Sequence, residues 1–222
     1  MGFSNAQKGI SKIYHSEILS IVAAILGVID VIMLVILEKA GSDTSKLVFL
    51  GISVAVISIA VLLLLIIAFA LNIIGLVNAG KDEKSFKLAI IFLVIGICSS
   101  FASNFFKELV PDNGALFSNI ANSCESFFEL LVSIFTIKGV MNVANKLGAN
   151  DVEEMGSGTL KLMLVMYILI FILNILSVVF TLPSMAEQMA GVVPVILLVI
   201  AVFSLITYII YIRMLGKAKR MF

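Results

Sequence analysis

The sequence predicts an all-α fold, a polytopic membrane protein in which six transmembrane helices form one bundle. Of its 222 residues, 61% are hydrophobic and only 13% are charged, and the mean hydropathy is +1.19. Soluble domains are about half apolar and about a quarter charged, so this chain lacks the polar surface that water requires. We therefore expect residues 1–222 to form a single transmembrane domain whose main partner is the lipid bilayer.

A spanning helix needs about 20 mostly apolar residues, and six segments of the chain meet this requirement. The predicted spans are 17–37, 47–78, 86–107, 115–141, 160–182 and 192–215. The second is long enough to tilt or to project from the bilayer. The fourth is the weakest prediction, because its first half is polar. Between the fourth and fifth spans, NKLGANDVEEMGSGT (145–159) has the composition of a flexible connector.

The distribution of basic residues predicts the orientation. An even number of spans places both termini on one side, together with most of the Lys and Arg residues. That side holds Lys8, Lys12, Lys81, Lys84, Lys87, Lys138, Lys146, Lys161, Arg213, Lys217, Lys219 and Arg220. The opposite side holds only Lys39, Lys46 and Lys107. Basic residues concentrate on the cytoplasmic side, so we expect cytoplasmic termini, in a protein of the bacterial inner membrane.

The ends of two spans are similar in sequence. IIGLVNAGK (73–81) and IKGVMNVANK (137–146) share the pattern I-x-G-[LV]-x-N, and IRMLGKAKR (212–220) is a looser third copy. The pattern favours three helical-hairpin pseudo-repeats, an arrangement that many transporters use. The alternative is chance similarity between apolar helices that contain small residues and have a basic end.

The fourth span carries polar residues at helical spacing, which puts them on one face. This polar stripe consists of Ser118, Asn122, Glu125, Glu129, Ser133 and Thr136. An acid at the bilayer centre costs about 3 kcal/mol or more on insertion scales, so such residues normally face the protein interior and have partners. Other spans also carry polar residues, at compatible depth. They are Asp30, Asn104, Lys107, Tyr167 and Asn174.

Together these residues predict a polar, acidic cavity that opens to the outside. The predicted ligand-binding residues are Asp30, Asn104, Asn122, Glu125, Glu129, Asn174 and Tyr167, with Lys107 as the counter-charge. Two alternatives fit the same residues. The polar groups could only join helices through hydrogen bonds, or the outer half of the fourth helix could emerge from the bilayer.

An acidic intramembrane cavity favours transport or binding of a cation or of a small cationic solute. The alternative, from another class, is a membrane protein that transports nothing and binds a protein partner or a second copy of itself, as an immunity, assembly or regulatory factor. The chain carries no large loop domain that would decide between the two.

Other functions lack the residues that they need. The chain has one histidine and no H-E-x-x-H or G-x-S-x-G motif, so we expect neither an enzyme nor a metal site. No motif predicts a cofactor. A formal net charge of +1 offers no surface for nucleic acid.

Six spans with cytoplasmic termini resemble the plan of the substrate-binding components of energy-coupling-factor vitamin transporters. The small residues of the first span, which such a component would place against its coupling subunit, are Ser20, Ala23, Ala24 and Gly27. The resemblance is one of architecture. It implies a further alternative, in which this chain is the substrate-binding membrane component of a larger transporter.

Overall fold

The structure is a computed structural model that describes the backbone of residues 2–39, 44–109, 114–180 and 193–222. Side chains are described for residues 2–37, 48–102, 105, 123–172, 196 and 198–222. Within these ranges the chain forms helices and turns and contains no strand.

Six long helices make up the described chain. They are α1 (Ser4–Lys39), α2 (Thr44–Ala79), α3 (Lys84–Leu109), α4 (Gly114–Leu147), α5 (Asn150–Phe180) and α6 (Val193–Ala218). All six are long and apolar enough to cross a membrane. The prediction of an all-helical protein with six membrane-spanning helices is therefore confirmed. Two further points stay predictions. They are the side of the membrane on which the termini lie and the presence of three pseudo-repeats.

Several helices extend beyond the predicted spans at one end of the bundle. This end, called the terminal end below, contains both chain termini, the α2–α3 turn and the α4–α5 turn. The largest extension is in α1, which begins at Ser4 although its apolar run begins near residue 17. At about 1.5 Å per residue, its 36 residues measure about 54 Å, well beyond the roughly 30 Å of a hydrocarbon core.

The prediction of a flexible connector over residues 145–159 is wrong, because most of this segment belongs to α4 and α5. Only a short turn separates the two helices. Gly148 has a φ of 72°, and the Ala149 N–H donates to the Ala144 carbonyl oxygen at 2.9 Å, which is how glycine commonly ends a helix. Asp151 and Glu153 then lie in the first turn of α5, where the helix dipole favours negative charge.

The best-packed part of the molecule is at the terminal end. Side chains from all six helices meet there, and its fully buried large residues include Ile10, Leu76, Phe86, Ile137 and Met214. Farther along α1 and α2, large apolar side chains are exposed instead, in the manner of surfaces that contact lipid. The polar first turns of α1 and α5 thus fold as helix because their apolar faces are buried in this core.

The helices follow one another around the bundle. The pairs α1–α2 and α3–α4 have the most extensive contacts, α5 packs on α4 and α6, and α6 returns to α1. Two glycines of the shared sequence pattern lie at close approaches. Gly75 meets Gly9 and Ile13 of α1, and Gly139 faces the ring of Phe86 on α3.

Candidate binding cleft

A cleft of about 450 Å³ lies between α2, α3 and α4. Its walls are mostly apolar, with two carboxylates and one hydroxyl among the described lining. The lining residues are Phe69, Phe92, Leu93, Gly96, Ile97, Ser100, Phe101, Glu125, Glu129 and Val132. The volume is in the range that small-molecule sites occupy.

Helix α4 presents both acids to the cleft. Glu125 and Glu129 are four residues apart, so they lie one above the other on one helix face. The Ser100 hydroxyl of α3 donates a 2.6 Å hydrogen bond to Glu125 Oε1, which orients this carboxylate. At the neighbouring turn of α3, Gly96 allows α4 to come close, because a Cβ there would lie 3.3 Å from the Cβ of Phe128.

Phenylalanine rings form the wall beside the acids. Phe92 stacks on Phe135, with ring centroids 5.3 Å apart, and on Phe128, with centroids 6.4 Å apart. Phe69 and Phe101 face the cleft from α2 and from the far part of α3. Such rings offer an apolar surface with negative faces, which attract cations.

The two acids lack cationic partners within the described part of the chain. Glu129 is exposed and Glu125 is half-buried, and neither forms an ion pair with a described residue. The two carboxyl groups lie one helical turn apart, where negative charges on both repel each other. The described cleft therefore sets two carboxyl groups without described cationic partners against apolar walls.

The other predicted site residues fall into three groups. Tyr167, on α5, is not among the described residues that line the cleft. Asp30 accepts a 2.6 Å hydrogen bond from the Ser58 hydroxyl in the α1–α2 hairpin and is not part of that lining. The remaining predictions concern side chains outside the described residues. They are Asn104, Lys107, Asn122 and Asn174.

A second polar cluster lies at the terminal end and was not predicted from sequence. Glu83, which directly precedes α3, accepts hydrogen bonds from Lys146 Nζ at 2.6 Å and from Asn142 Nδ2 at 3.0 Å. Burial alone would raise the pKa of Glu83, but the bonds from Lys146 and Asn142 outweigh it, so the pKa is lowered. The cluster joins α3 to α4.

Asp82 joins the α2–α3 turn to α1. Its carboxylate accepts hydrogen bonds from Asn5 Nδ2 at 3.0 Å and from the Ala6 backbone N–H at 2.8 Å. It thereby caps the first turn of α1, whose N–H groups have no partner within the helix. Burial would raise the pKa of Asp82, but these bonds and the charge of Lys81 lower it. No sequence signal pointed to this contact, because Asn5 and Ala6 precede Asp82 by 77 and 76 residues.

Searches against protein-family models, curated proteins and solved structures found no match to this chain. Among the residues that the structure describes, no three His, Cys, Asp or Glu side chains gather in a way that could hold a metal ion. The described cleft sets two carboxyl groups beside a wall of phenyl rings.

Proposed function

We propose that this membrane protein binds an organic cation in the cleft between α2, α3 and α4. The observation that carries the proposal is the pairing of Glu125 and Glu129 on the wall of an apolar, phenyl-lined space of about 450 Å³. Two acids one turn apart are costly within a membrane protein, and a bound positive charge would offset that cost.

The surroundings of the acids favour an organic cation with apolar substituents over a small metal ion. Small hard cations take six or more oxygen ligands, whereas the described cleft offers two carboxylates and the Ser100 hydroxyl. The rest of its wall is aliphatic and aromatic. Phenyl faces attract alkylated or aryl-substituted cations, and the cleft volume suits a ligand of that size.

We propose in addition that the terminal end faces the cytoplasm. Twelve of the 15 basic residues lie at or near the terminal end, which supports cytoplasmic termini and a protein of the inner membrane of a bacterium. The cleft, farther along α3 and α4, then lies within the membrane and toward the outer side.

Equilibrium binding of tetraphenylphosphonium to the purified protein in detergent tests the proposal. Tetraphenylborate has nearly the same shape and the opposite charge, so it separates electrostatic binding from simple partitioning into apolar space. We expect the wild type to bind the cation and to reject the anion. Glu129→Gln and Glu125→Gln should each weaken cation binding by at least about ten-fold, since each removes a full charge from an apolar site.

Asp30→Asn is the matched control, because it neutralises an acid within the membrane span that lies outside the described lining. We expect it to keep the wild-type affinity for the cation. Equal binding of cation and anion, or equal binding by the wild type and both Gln variants, would contradict the proposal. The partner-binding alternative would then gain, and co-purification of the chain with a protein would become the next measurement.

A further inference from the structure

Two contacts between α3 and α4 lie at opposite ends of the cleft. At the end nearer the chain termini, Phe92 of α3 stacks on Phe135 of α4, with ring centroids 5.3 Å apart. At the other end, the Ser100 hydroxyl donates its 2.6 Å hydrogen bond to Glu125. Phe92 and Ser100 are eight residues apart on one helix, so about 12 Å along the helix axis separates the two ends.

The polar groups of the cleft are gathered in the part that is farther from the terminal end. Glu129 is one turn of α4 from Glu125, which accepts the bond from Ser100. The two carboxyl groups and the hydroxyl therefore lie within about 6 Å of one another along the helix axes. They are the only polar side chains in the described lining, and they form what we call the acidic part of the cleft.

The part nearer the terminal end, called the apolar part, is lined by hydrophobic side chains. Phe92 and Leu93 come from α3, and Val132 of α4 follows Glu129 toward the terminal end. Phe69 of α2 lies at the same level. Counted from the α2–α3 turn, it is at about 15 Å and Phe92 is at about 12 Å. Polar and apolar groups are thus separated along the length of the cleft.

The cleft also borders the surface that faces lipid. Phe69 is 45% exposed, and Phe101, which follows Ser100 beside the acidic part, is 72% exposed, although both rings line the cleft. They belong to α2 and α3, which pack on each other much less than α1 packs on α2 or α3 on α4. The cleft is therefore open to the bilayer between α2 and α3.

We propose that the ligand of the cleft is a single-chain cationic amphiphile, with its head in the acidic part and its alkyl chain along the apolar part. This inference rests on the proposed function and adds the ligand class. A cation with apolar groups on every side fills such a cleft, but a one-sided cation matches both of its parts. The carboxyl groups attract the head, and the chain gains free energy when it leaves water for the apolar part.

Two quaternary ammonium ions test the ligand class. Tetramethylammonium and hexyltrimethylammonium have the same charge and differ in one alkyl chain. Their dissociation constants would be measured by displacement of tetraphenylphosphonium from the purified protein in detergent. We expect hexyltrimethylammonium to bind at least about ten-fold more tightly, because several methylene groups leave water. Hexanesulfonate, with the same chain and the opposite charge, should displace nothing.

Two phenylalanines that are about equally exposed give a matched pair of variants. Phe69 lines the apolar part, whereas Phe127, which is 55% exposed, is outside the described lining. The measured quantity is the ratio of the two dissociation constants, which isolates the contribution of the alkyl chain. Phe69→Ala should reduce this ratio to about two or less, because the chain loses part of its wall. Phe127→Ala should keep the ratio of the wild type.

The direction of the ligand can be measured by fluorescence. The chain contains no tryptophan, so Phe69→Trp and Phe101→Trp each introduce a single reporter, one at either part of the cleft. The ligand would be hexyltrimethylammonium with a bromine atom, which quenches tryptophan on contact, at the end of its chain. We expect stronger quenching in Phe69→Trp than in Phe101→Trp, counting only the quenching that excess tetraphenylphosphonium removes.

The outcomes separate this inference from the proposed function. Equal affinity of the wild type for the two ammonium ions overturns the amphiphile and leaves cation binding intact. An unchanged ratio in Phe69→Ala does the same, and so does quenching that is equal at the two positions or stronger in Phe101→Trp. If tetraphenylphosphonium does not bind, the proposed function is overturned, and this inference with it. If Phe69→Ala fails to fold, the quenching decides, since Phe69→Trp keeps an aromatic ring.

Discussion

Gly9 and Gly75 bring the backbones of α1 and α2 into contact near the terminal end. A Cβ atom on Gly9 would lie 2.5 Å from the Gly75 carbonyl oxygen, and one on Gly75 would lie 2.9 Å from the Gly9 carbonyl oxygen. Neither position has room for a side chain unless the helices separate. This contact brings the start of α1 beside the α2–α3 turn, where Asp82 caps it.

Replacing Gly9 by alanine should destabilise the protein. The added methyl group would press on backbone atoms of α2, which cannot turn aside as a flexible side chain can, so we expect a loss of about 1–3 kcal/mol. Gly27→Ala on the same helix is the control, because a Cβ there would have nothing within 4 Å. Thermal unfolding in detergent should show a lower Tm for Gly9→Ala alone. Equal Tm values would contradict the close approach.

The Glu83 cluster should contribute measurably to stability. Glu83→Ala leaves Asn142 and Lys146 without their acceptor and removes the side chain that bonds Ser85 at the start of α3. A loss of about 1–2 kcal/mol is expected. Asp151→Asn breaks the other described ion pair, which joins two exposed side chains at 3.4 Å, and should change stability little. An equal loss of Tm in Glu83→Ala and Asp151→Asn would contradict the larger contribution expected of the Glu83 cluster.

Acid should weaken the terminal end through Asp82 and Glu83. Folding lowers the pKa of both carboxyls, so the unfolded chain binds more protons than the folded chain as they titrate. Their contribution is complete above the ordinary carboxyl pKa of about 4 and is lost as the pH falls through the lower folded values. The Tm should therefore fall between about pH 5 and about pH 3, and less steeply in Asp82→Asn/Glu83→Gln. An equally steep fall of Tm in the wild type and in the double variant would show that Asp82 and Glu83 do not cause the loss of stability in acid.

The Asp30–Ser58 pair should act as a structural link within the α1–α2 hairpin. Asp30 Oδ1 is buried without a hydrogen-bond partner among the described residues, so within that part of the chain the Ser58 hydroxyl supplies the one hydrogen bond to this carboxyl group. Ser58→Ala should cost about 1–3 kcal/mol by removing it. Asp30→Leu/Ser58→Ala, which removes both polar groups, should recover most of the loss in Tm. A double variant less stable than Ser58→Ala would show that Asp30 has another role.

The sequence was sufficient to predict the helices, because each one rests on an apolar run that is long enough by itself. It failed over residues 145–159, where the composition of the segment predicted a flexible connector. A Cβ on Gly156 would collide with Met141, so this glycine serves the packing of α5 on α4. That contact is set by tertiary structure, which a local reading of composition cannot detect.

The acids of the cleft were also predictable, since Glu125 and Glu129 share a helical spacing. The position of Asp30 in the α1–α2 hairpin could not be predicted, because its depth along the helix is compatible with either the hairpin or the cleft. The bond between Glu17 and Tyr208 joins residues 191 positions apart, and neither residue belongs to a polar stripe. Contacts of this kind follow from how the helices are arranged around the bundle, which spacing along one helix does not encode.

The most direct test of the central claim is the reactivity of a cysteine placed inside the cleft. Ile97 lines the cleft, and Ile168, on the exposed face of α5, is the control. Single cysteines at these positions, in a chain without Cys98 and Cys124, would be treated with two membrane-impermeant methanethiosulfonates of similar size. One reagent carries a trimethylammonium group and the other a sulfonate.

We expect Ile97→Cys to react with the cationic reagent at least about ten-fold faster than with the anionic one, because two carboxylates share its space. Tetraphenylphosphonium should slow that reaction, and Ile168→Cys should react with neither reagent. If Ile97→Cys is as inert as Ile168→Cys, or reacts equally with both reagents and without protection, the cleft is not a cation site.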